Sequence, residues 1–386
     1  MRIIFSAVLS IPPYTPGSVL QRIHHVLGLQ DLGHDVYFAE ETYRDVCVDV
    51  SGEVCSFEDS VNARNFLDTM KTFGLAERSC LIYEGGRETV GMSFDRIADV
   101  AKGADILINL SGHLSTGPIF EGPRCRVYFD QDPVYTQLWQ AEYGQDLNFE
   151  HHDVFVTRGL NIGTEASPIP DCSIDWIPTL PAVVLEEFWT PPDPKDSAYS
   201  TVASWGVFGD VSYHGEWYRS RRQELIRFAP LPGRVDATFE MMVKAYEQED
   251  DEMRTLLESS GWRLADALTI GDIPAYRNYI KRSRGEIGIA KNAYVKGRSG
   301  WFSERSAEYL AAGRPVIAQS TGYEATLPTG VGLLSFATLE EAADAVRDVE
   351  AGLGKHARGA RELAEAHLSH RRVLPELLDA IEAKAP

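Results

Sequence analysis

The stretch 291–319, KNAYVKGRSGWFSERSAEYLAAGRPVIAQ, constrains the fold of this chain more than any other part of it. Ser303 is a good N-cap for a helix over 304–312, and Gly313 is a typical C-terminal stop. Arg314-Pro315 then leads into the apolar residues 316–318, which read as a buried strand. A helix that turns directly into a buried strand is the repeating element of α/β domains.

The N-terminus shows the same architecture. Residues 2–9 read as a buried strand, and Ser18 opens a helix whose apolar positions recur at helical spacing up to Gly33. The next strand covers 35–39. A helical crossover between two strands implies that the strands are parallel.

Further elements follow from apolar runs and turn signals. Strands are predicted at 104–110, 126–129, 154–157, 199–205 and 286–290, and helices at 217–228, 247–259, 274–282, 339–350 and 357–383, the last kinked or broken at Pro375.

Length and proline content divide the chain. At 386 residues, two domains are expected, and the proline-rich passage 168–194 reads as their connection. We predict an α/β protein with two Rossmann-like, doubly wound parallel-sheet domains facing a cleft. The first, over 1–185, would hold an acceptor and the second, over 186–360, a nucleotide sugar. A C-terminal helix over 361–386 could cross back to the first domain.

The chain is acidic, with 37 Lys+Arg against 57 Asp+Glu and a formal net charge of −20. Such a surface repels nucleic-acid backbones, so a nucleic-acid acceptor is not expected. Between residues 281 and 305, however, seven basic residues accompany only two acidic ones. This run indicates either a local anion site or a solvated charged face.

The five cysteines are scattered, without a Cys-x-x-Cys pair, which fits a reducing cytosol and argues against a structural zinc site. The apolar run after Met1 resembles a short signal peptide, but Pro12-Pro13 follows it without a clear cleavage site, so we interpret it as a buried strand. No stretch of about 18 apolar residues is present. We therefore expect a cytoplasmic protein.

The start of the helix at 304–312 is a candidate phosphate site. A helix N-terminus presents free N–H groups and a partial positive charge. Arg298 and Arg305 can add charge-assisted hydrogen bonds, and Lys291 follows a predicted strand at the same edge. Glu308, one turn into the helix, can accept hydrogen bonds from two ribose hydroxyls. The alternative is an ordinary Ser-capped helix with surface arginines.

The segment 308–317, EYLAAGRPVI, resembles the donor-site signature of GT-B glycosyltransferases, Glu-Ala-x-Ala-x-Gly-x-Pro-Val-Ile. The wider run 300–315, GWFSERSAEYLAAGRP, is similar to the spore-maturation-protein-like branch of that superfamily. The glycine-bearing loop after the first strand and the Gly33-His34-Asp35-Val36 entry to the second also match.

This resemblance implies that Glu308 holds the donor ribose and that Arg298, Ser303 and Arg305 lie near the diphosphate. The sequence departs from the family at one position. Many relatives carry a second Glu eight residues before the ribose-binding one, near the donor sugar, and here that position is Gly300. The sugar and the stereochemical outcome are therefore open.

Loops after N-terminal strands supply the candidates for catalysis. His113, in a Ser-Gly-His loop, and Asp130, directly after a strand, are the candidate bases for an acceptor hydroxyl. Asp132 precedes Pro133 and reads as a turn residue. Gly17 and Gly206 would let the backbone approach the diphosphate.

The remaining histidines carry weaker signals. His24 and His25 lie on the first helix and read as helix surface. His151-His152-Asp153 resembles a metal cluster, but adjacent histidines before a strand point in opposite directions, so no metal site is predicted. The aromatic residues of the N-terminal half form no recognisable acceptor code; they are Tyr14, Tyr83, Tyr135 and Trp139.

Together these features predict a glycosyltransferase that moves a sugar from a nucleoside-diphosphate sugar to an acceptor hydroxyl or amine, without a metal or other cofactor. The cations and the helix start would stabilise the departing diphosphate. A small molecule or a glycan is the expected acceptor. A sugar-nucleotide epimerase and a non-catalytic sugar-nucleotide-binding protein remain alternatives. A nicotinamide-dependent dehydrogenase is disfavoured because the first β-α loop lacks Gly-x-Gly-x-x-Gly.

Overall fold

The structure is a computed structural model that describes residues 1–10, 15–115, 117–188, 197–244 and 250–386. Tyr14, Pro191, Pro192 and the predicted helix start at Glu247 lie outside these ranges. The chain forms two compact units. Unit 1 comprises Met1–Gln131, Asp146–Val156 and Leu374–Pro386, and unit 2 comprises Asp132–Gln145 and Thr157–Val373. The domain boundaries predicted at 185/186 and 360/361 stay predictions.

Unit 1 is built on a sheet in which β4-β3-β2-β1-β5-β6-β7 lie side by side. Every described pairing is parallel except that of β3 with β4. Its strands are β1 Arg2–Ser6, β2 Asp35–Thr42, β3 Ser79–Tyr83, β4 Glu88–Gly91, β5 Ile106–Leu110, β6 Cys125–Asp130 and β7 Val154–Thr157. Its helices are α1 Pro16–Asp31, α2 Val61–Thr72, α3 Phe94–Lys102 and α4 Gly117–Glu121.

The predicted β-α-β unit is confirmed. Ile3, Ile4 and Phe5 are fully buried, which a strand covered on both faces requires. The helix α1 begins at Pro16 rather than Ser18, because proline suits the first helical turn, where its missing N–H has no partner to lose.

Unit 2 is built on a six-stranded sheet with the order β13-β12-β9-β14-β15-β16, in which every pairing is parallel. Its strands are β8 Ile177–Pro178, β9 Tyr199–Val202, β10 Val211–Tyr213, β11 Glu216–Tyr218, β12 Phe239–Val243, β13 Trp262–Asp266, β14 Gly285–Gly288, β15 Val316–Gln319 and β16 Leu333–Phe336. Its helices are α5 Tyr135–Ala141, α6 Arg221–Phe228, α7 Asp251–Ser259, α8 Ile273–Arg282, α9 Asn292–Lys296, α10 Glu304–Ala311, α11 Leu339–Ala351, α12 Leu353–Leu363 and α13 His370–Lys384, whose residues from Leu374 belong to unit 1.

Two predicted elements are wrong in part. The helix predicted from Trp217 starts only at Arg221, because Trp217 pairs with Ser212 in the antiparallel hairpin of β10 and β11. The long C-terminal helix is broken, but at Ser369, whose extended backbone separates a π-helical segment from α13. Pro375 is accommodated inside α13.

The strand order of unit 2 places a topological switch point between β9 and β14. The chain proceeds from β9 to β12 on one side and reaches β14 on the other. In open parallel sheets, ligands bind outside the carboxyl ends of the strands at such a point. Among the described residues, no helix is long and apolar enough to cross a membrane.

Candidate functional site

The start of α10 lies in the loop that follows the carboxyl end of β14. Ser303 occupies the N-cap position, as predicted, but its side chain makes no capping hydrogen bond. Only its carbonyl takes part in the helix, by accepting from the Ala307 N–H at 3.0 Å. The Glu304 carboxylate accepts from its own backbone N–H, and the Ser303 hydroxyl and the other N–H groups of the first turn remain available to an anion.

A cavity opens at this helix start, and about 270 Å³ of non-atom space lies within and directly in front of it, open solvent included. It lies at the carboxyl ends of β14 and β15. Its lining residues are Gly288, Ile289, Ala290, Trp301, Phe302, Ser303, Arg305, Ser306, Ala318, Gln319 and Tyr323. The cavity is small and partly open to solvent.

Arg305 is the cation of this cavity. Its Nε donates to Glu286 Oε1 at 2.6 Å, and its Nη1 donates to the Val202 carbonyl at 2.5 Å. Burial is the largest influence and opposes the charge of Arg305, but Glu286 together with Tyr276 and Tyr309 outweighs burial and raises the pKa of Arg305 above its ordinary value. Since Val202 ends β9 and Glu286 belongs to β14, the guanidinium lies across the switch point.

Glu308, the predicted ribose ligand, lies deeper. Its side chain is 1% exposed, and its Oε2 accepts from the Tyr276 hydroxyl at 2.7 Å. Burial raises the pKa of Glu308 to about 8, although the Tyr276 hydrogen bond and Arg305 oppose the shift. Glu308 is not part of the cavity lining. Its role toward a ribose stays a prediction.

Lys291 is also held by the protein itself. Its Nζ donates to Asp132 Oδ1 at 3.0 Å and to the Tyr294 hydroxyl at 2.9 Å. The ring of Phe208 lies 4.0 Å from the ammonium group. Burial lowers the pKa of Lys291, and Asp132 opposes the shift. Lys291 does not line the cavity, and Asp132, predicted only as a turn residue, is its ion-pair partner.

Arg298 and Gly206 are exposed. Arg298 has the left-handed backbone φ of 44°, and its carbonyl accepts from Asn161 Nδ2 at 2.9 Å. Its guanidinium forms no ion pair with the part of the chain that the structure describes. Gly206 lies in the loop between β9 and β10. Both stay predicted donor contacts.

Gly300 cannot accommodate the acidic residue found at this position in the family that the sequence resembles. Its φ is +75°, and a Cβ atom there would lie 2.8 Å from Leu160 Cβ and 3.0 Å from the Asn161 N atom. Asn161 also donates to the carbonyls of Arg298 and Gly322, which ties together two loops beside the cavity. The segment around Asn161 therefore occupies the space that a side chain at position 300 would need.

The catalytic candidates of unit 1 differ in accessibility. Asp130 is fully buried as the last residue of β6, whereas His113 is exposed. Surrounding protein displaces part of the water near the His113 ring without covering it, and this desolvation, together with Arg22, lowers the pKa of His113. A neutral, accessible imidazole is the better candidate base. Gly17 lies in the first turn of α1.

The prediction that His24 and His25 lie on the helix surface is wrong. Both are 2% exposed, because this side of α1 packs on the sheet, where the His25 ring stacks on Phe5 at 5.4 Å. His152 is also buried, and burial lowers its pKa to about 4. No metal-binding group of His, Cys, Asp and Glu occurs among the described residues.

Sequence reasoning did not identify Glu286 or the ion pair of Arg158 with Glu304 (3.1 Å). A signal for Glu286 was present. It lies within a predicted buried strand, and a buried charge requires a partner. The identity of the partner, 19 residues later, is not readable from the pattern.

No protein-family model matches the chain, and no curated protein matches it. Solved structures do. HepE of Anabaena in complex with UDP and glucose is 10% identical, with 99% of this chain and 100% of that chain covered and a TM-score of 0.61. An α-glucosyltransferase in complex with UDP and a 13-mer DNA containing an HMU base is 11% identical, with 99% of each chain covered and a TM-score of 0.61. Sucrose-phosphate synthase from Thermosynechococcus elongatus is 10% identical, with 99% of each chain covered and a TM-score of 0.54. The chain therefore shares its fold with these proteins, which confirms the predicted α/β class with large parallel sheets.

Proposed function

We propose that this protein is a glycosyltransferase that moves a sugar from a nucleoside-diphosphate sugar to an acceptor hydroxyl or amine. The observation that carries the proposal is the cavity at the start of α10, where an uncapped helix N-terminus and Arg305 meet at the carboxyl edge of the sheet. This combination suits a phosphate group, because both features favour negative charge at one place.

The chemistry follows from the leaving group. When the glycosyl bond breaks, negative charge grows on the departing diphosphate, and preorganised donors lower the barrier by stabilising that charge. Arg305, the Ser303 hydroxyl and the N–H groups of the first turn of α10 would supply these donors, with exposed Arg298 as a further cation. No metal is required by this scheme.

The acceptor side of the proposal rests on His113. If the anomeric centre inverts, His113 would remove the proton from the acceptor; if it is retained, the departing phosphate would take that proton. We propose a small molecule or a glycan as the acceptor, since the net charge of −20 opposes a nucleic acid. We also place the protein in the spore-maturation-protein-like branch on the 300–315 motif, and in the cytoplasm, for which the five free cysteines argue.

UDP is the first ligand to test, because HepE and the α-glucosyltransferase bind it. A panel of nucleoside diphosphates and their sugars should reveal the base and the sugar by thermal shift. A ligand at about 100 times its Kd stabilises the folded protein by about 2.7 kcal/mol. Absence of any shift across the panel would contradict the proposal.

Gly300 favours a second candidate, a protein that binds a nucleotide sugar without transferring it. The position of the family's sugar-proximal acid is filled here by Leu160 and Asn161. The two functions separate in one assay. Release of UDP from a bound UDP-sugar, with or without an added acceptor, requires the transferase, whereas tight binding without release indicates the binding protein.

A further inference from the structure

The three guanidinium nitrogens of Arg305 differ in whether they form hydrogen bonds within the chain. Nε and Nη1 are used by Glu286 and by the Val202 carbonyl. Nη2 makes no hydrogen bond within the described residues. The guanidinium is therefore held at two of its three nitrogens, and the third remains for a ligand in the cavity that Arg305 lines.

Glu286 contributes the charged half of this arrangement. Its side chain is fully buried in β14, and Arg305 is its one ion-pair partner in the part of the chain described by the structure. The second carboxylate oxygen, Oε2, is buried and has no hydrogen-bond partner there. A buried carboxylate with an unpaired oxygen is costly, so its position calls for a compensating role.

An arginine side chain loses considerable rotamer freedom when it is fixed, and this loss weakens binding when the ligand must cause it. A carboxylate that fixes the guanidinium beforehand removes this cost from the binding step. The Nε contact also sets the plane of the guanidinium, since its N–H groups have a rigid geometry.

We propose that Glu286 is a positioning residue that holds Arg305 at the cavity, so that Nη2 meets the diphosphate of the donor. This inference rests on the proposed function for the nature of the ligand. Glu286 does not line the cavity and acts through Arg305 alone.

A double-mutant cycle on the full chain tests the proposal. The dissociation constants of UDP and of inorganic pyrophosphate are measured by calorimetric titration for the wild type, Glu286→Gln, Arg305→Gln and the double variant. We expect Glu286→Gln to weaken both ligands about tenfold and Arg305→Gln about 30-fold or more. In the Arg305→Gln background, adding Glu286→Gln should change affinity less than about twofold, because coupled residues are not additive.

Glu350→Gln is the matched control. Glu350 pairs with Arg284 in the same unit (Nε to Oε1, 3.0 Å), and neither residue lines the cavity. Its variant should bind both ligands as the wild type does. Circular dichroism establishes that each variant is folded, and Glu286→Asp, which keeps the charge but retracts it, replaces Glu286→Gln if the latter does not fold.

The outcomes are distinguishable. Equal affinity of the wild type and Glu286→Gln, or additive losses in the double variant, would overturn the positioning role and leave the proposed function intact. Binding of pyrophosphate with the expected pattern, but without sugar transfer, would support the positioning role and contradict the transferase. Failure of the wild type to bind either ligand would overturn both.

Discussion

The polar groups at the carboxyl edges of the two parallel sheets differ in how far they are hydrogen-bonded within the chain. In unit 1, the chain itself forms hydrogen bonds with several of them. Glu40 accepts from the backbone N–H groups of Leu9 and Ser10, each at 2.9 Å. Asn109, near the end of β5, both donates to and accepts from the backbone of Leu114. These contacts satisfy both side chains with local hydrogen bonds, whereas Gln131 Nε2, directly after β6, is buried without a partner among the described residues.

In unit 2, the corresponding edge keeps polar groups unused. Ser303 makes no capping hydrogen bond. One nitrogen of Arg305 has no partner within the described residues. Both residues line the cavity. Two sheets of similar construction therefore differ in how far the chain satisfies the polar groups at this edge.

The largest expected effect concerns the ion pair that holds the start of α10. Arg158 is 1% exposed, and its Nε donates to Glu304 at 3.1 Å. Glu304→Gln should reduce the free energy of unfolding by about 3–5 kcal/mol, because it leaves a buried guanidinium without its counter-charge. Urea denaturation measures the loss.

Glu216→Gln provides the control for this prediction. Glu216 pairs with Lys296 at 2.6 Å, but its own side chain is 68% exposed. Its loss should cost less than about 1 kcal/mol. Equal effects of the two variants would show that the helix start does not depend on the buried pair.

Parts of this contrast were predictable from the sequence and others were not. The Ser303 cap position, the helix at 304–312 and the strand at 316–318 are confirmed, because each combines a local pattern with a terminal signal. The hairpin around Trp217 was missed, since three-residue strands are too short for periodicity to separate them from a helix.

For the candidate site, only features formed by residues close in sequence were predictable. Arg305 lines a cavity, and a cation at a helix start is visible in the sequence. The burial of Glu308 was not visible, because it depends on Tyr276, which is 32 residues away and belongs to another helix. Contacts between elements require the tertiary structure, which a single sequence pattern does not contain.

The next largest loss of stability is expected at position 300, where it tests whether the surrounding chain leaves no space for a side chain. Gly300→Ala should cost about 3 kcal/mol, because it combines a left-handed backbone with a Cβ atom 2.8 Å from Leu160. Gly330→Ala is the matched control. Gly330 also has a positive φ, +111°, but no atom of the described residues lies within 4 Å of its Cβ position, so only the backbone strain of about 1–2 kcal/mol is expected. A smaller loss at Gly300 than at Gly330 would disprove the crowding.

A smaller effect is expected on the pH dependence of the free energy of unfolding, to which one buried acid in each unit contributes. Burial raises the pKa of Glu40 to about 7, and that of Glu308 to about 8. In each case the folded protein retains a proton that the unfolded chain releases above about pH 4.5. The stabilisation is therefore complete below that pH and is lost as the pH rises through the folded-state pKa, by at most about 1.4 kcal/mol per pH unit for each group.

Glu40→Gln and Glu308→Gln should each flatten the pH dependence of unfolding. The flattening should end near pH 7 for Glu40 and near pH 8 for Glu308, as measured by denaturation at a series of pH values. An unchanged profile in either variant would show that the corresponding carboxyl is ionised in the folded protein.

The smallest effect on stability is expected at His113. This residue is exposed, so His113→Gln should change the free energy of unfolding by less than about 0.5 kcal/mol and should leave UDP affinity unchanged. As a general base, however, His113 would contribute about 10²–10⁴-fold to transfer onto an acceptor. The pKa of His113 is lowered from its ordinary value of 6.5, so the imidazole stays neutral to lower pH. The transfer rate should therefore fall, on acidification, only at a pH below 6.5. Transfer by the variant at the wild-type rate would make His113 a loop residue without a catalytic role, and Asp130, the other candidate base, is fully buried.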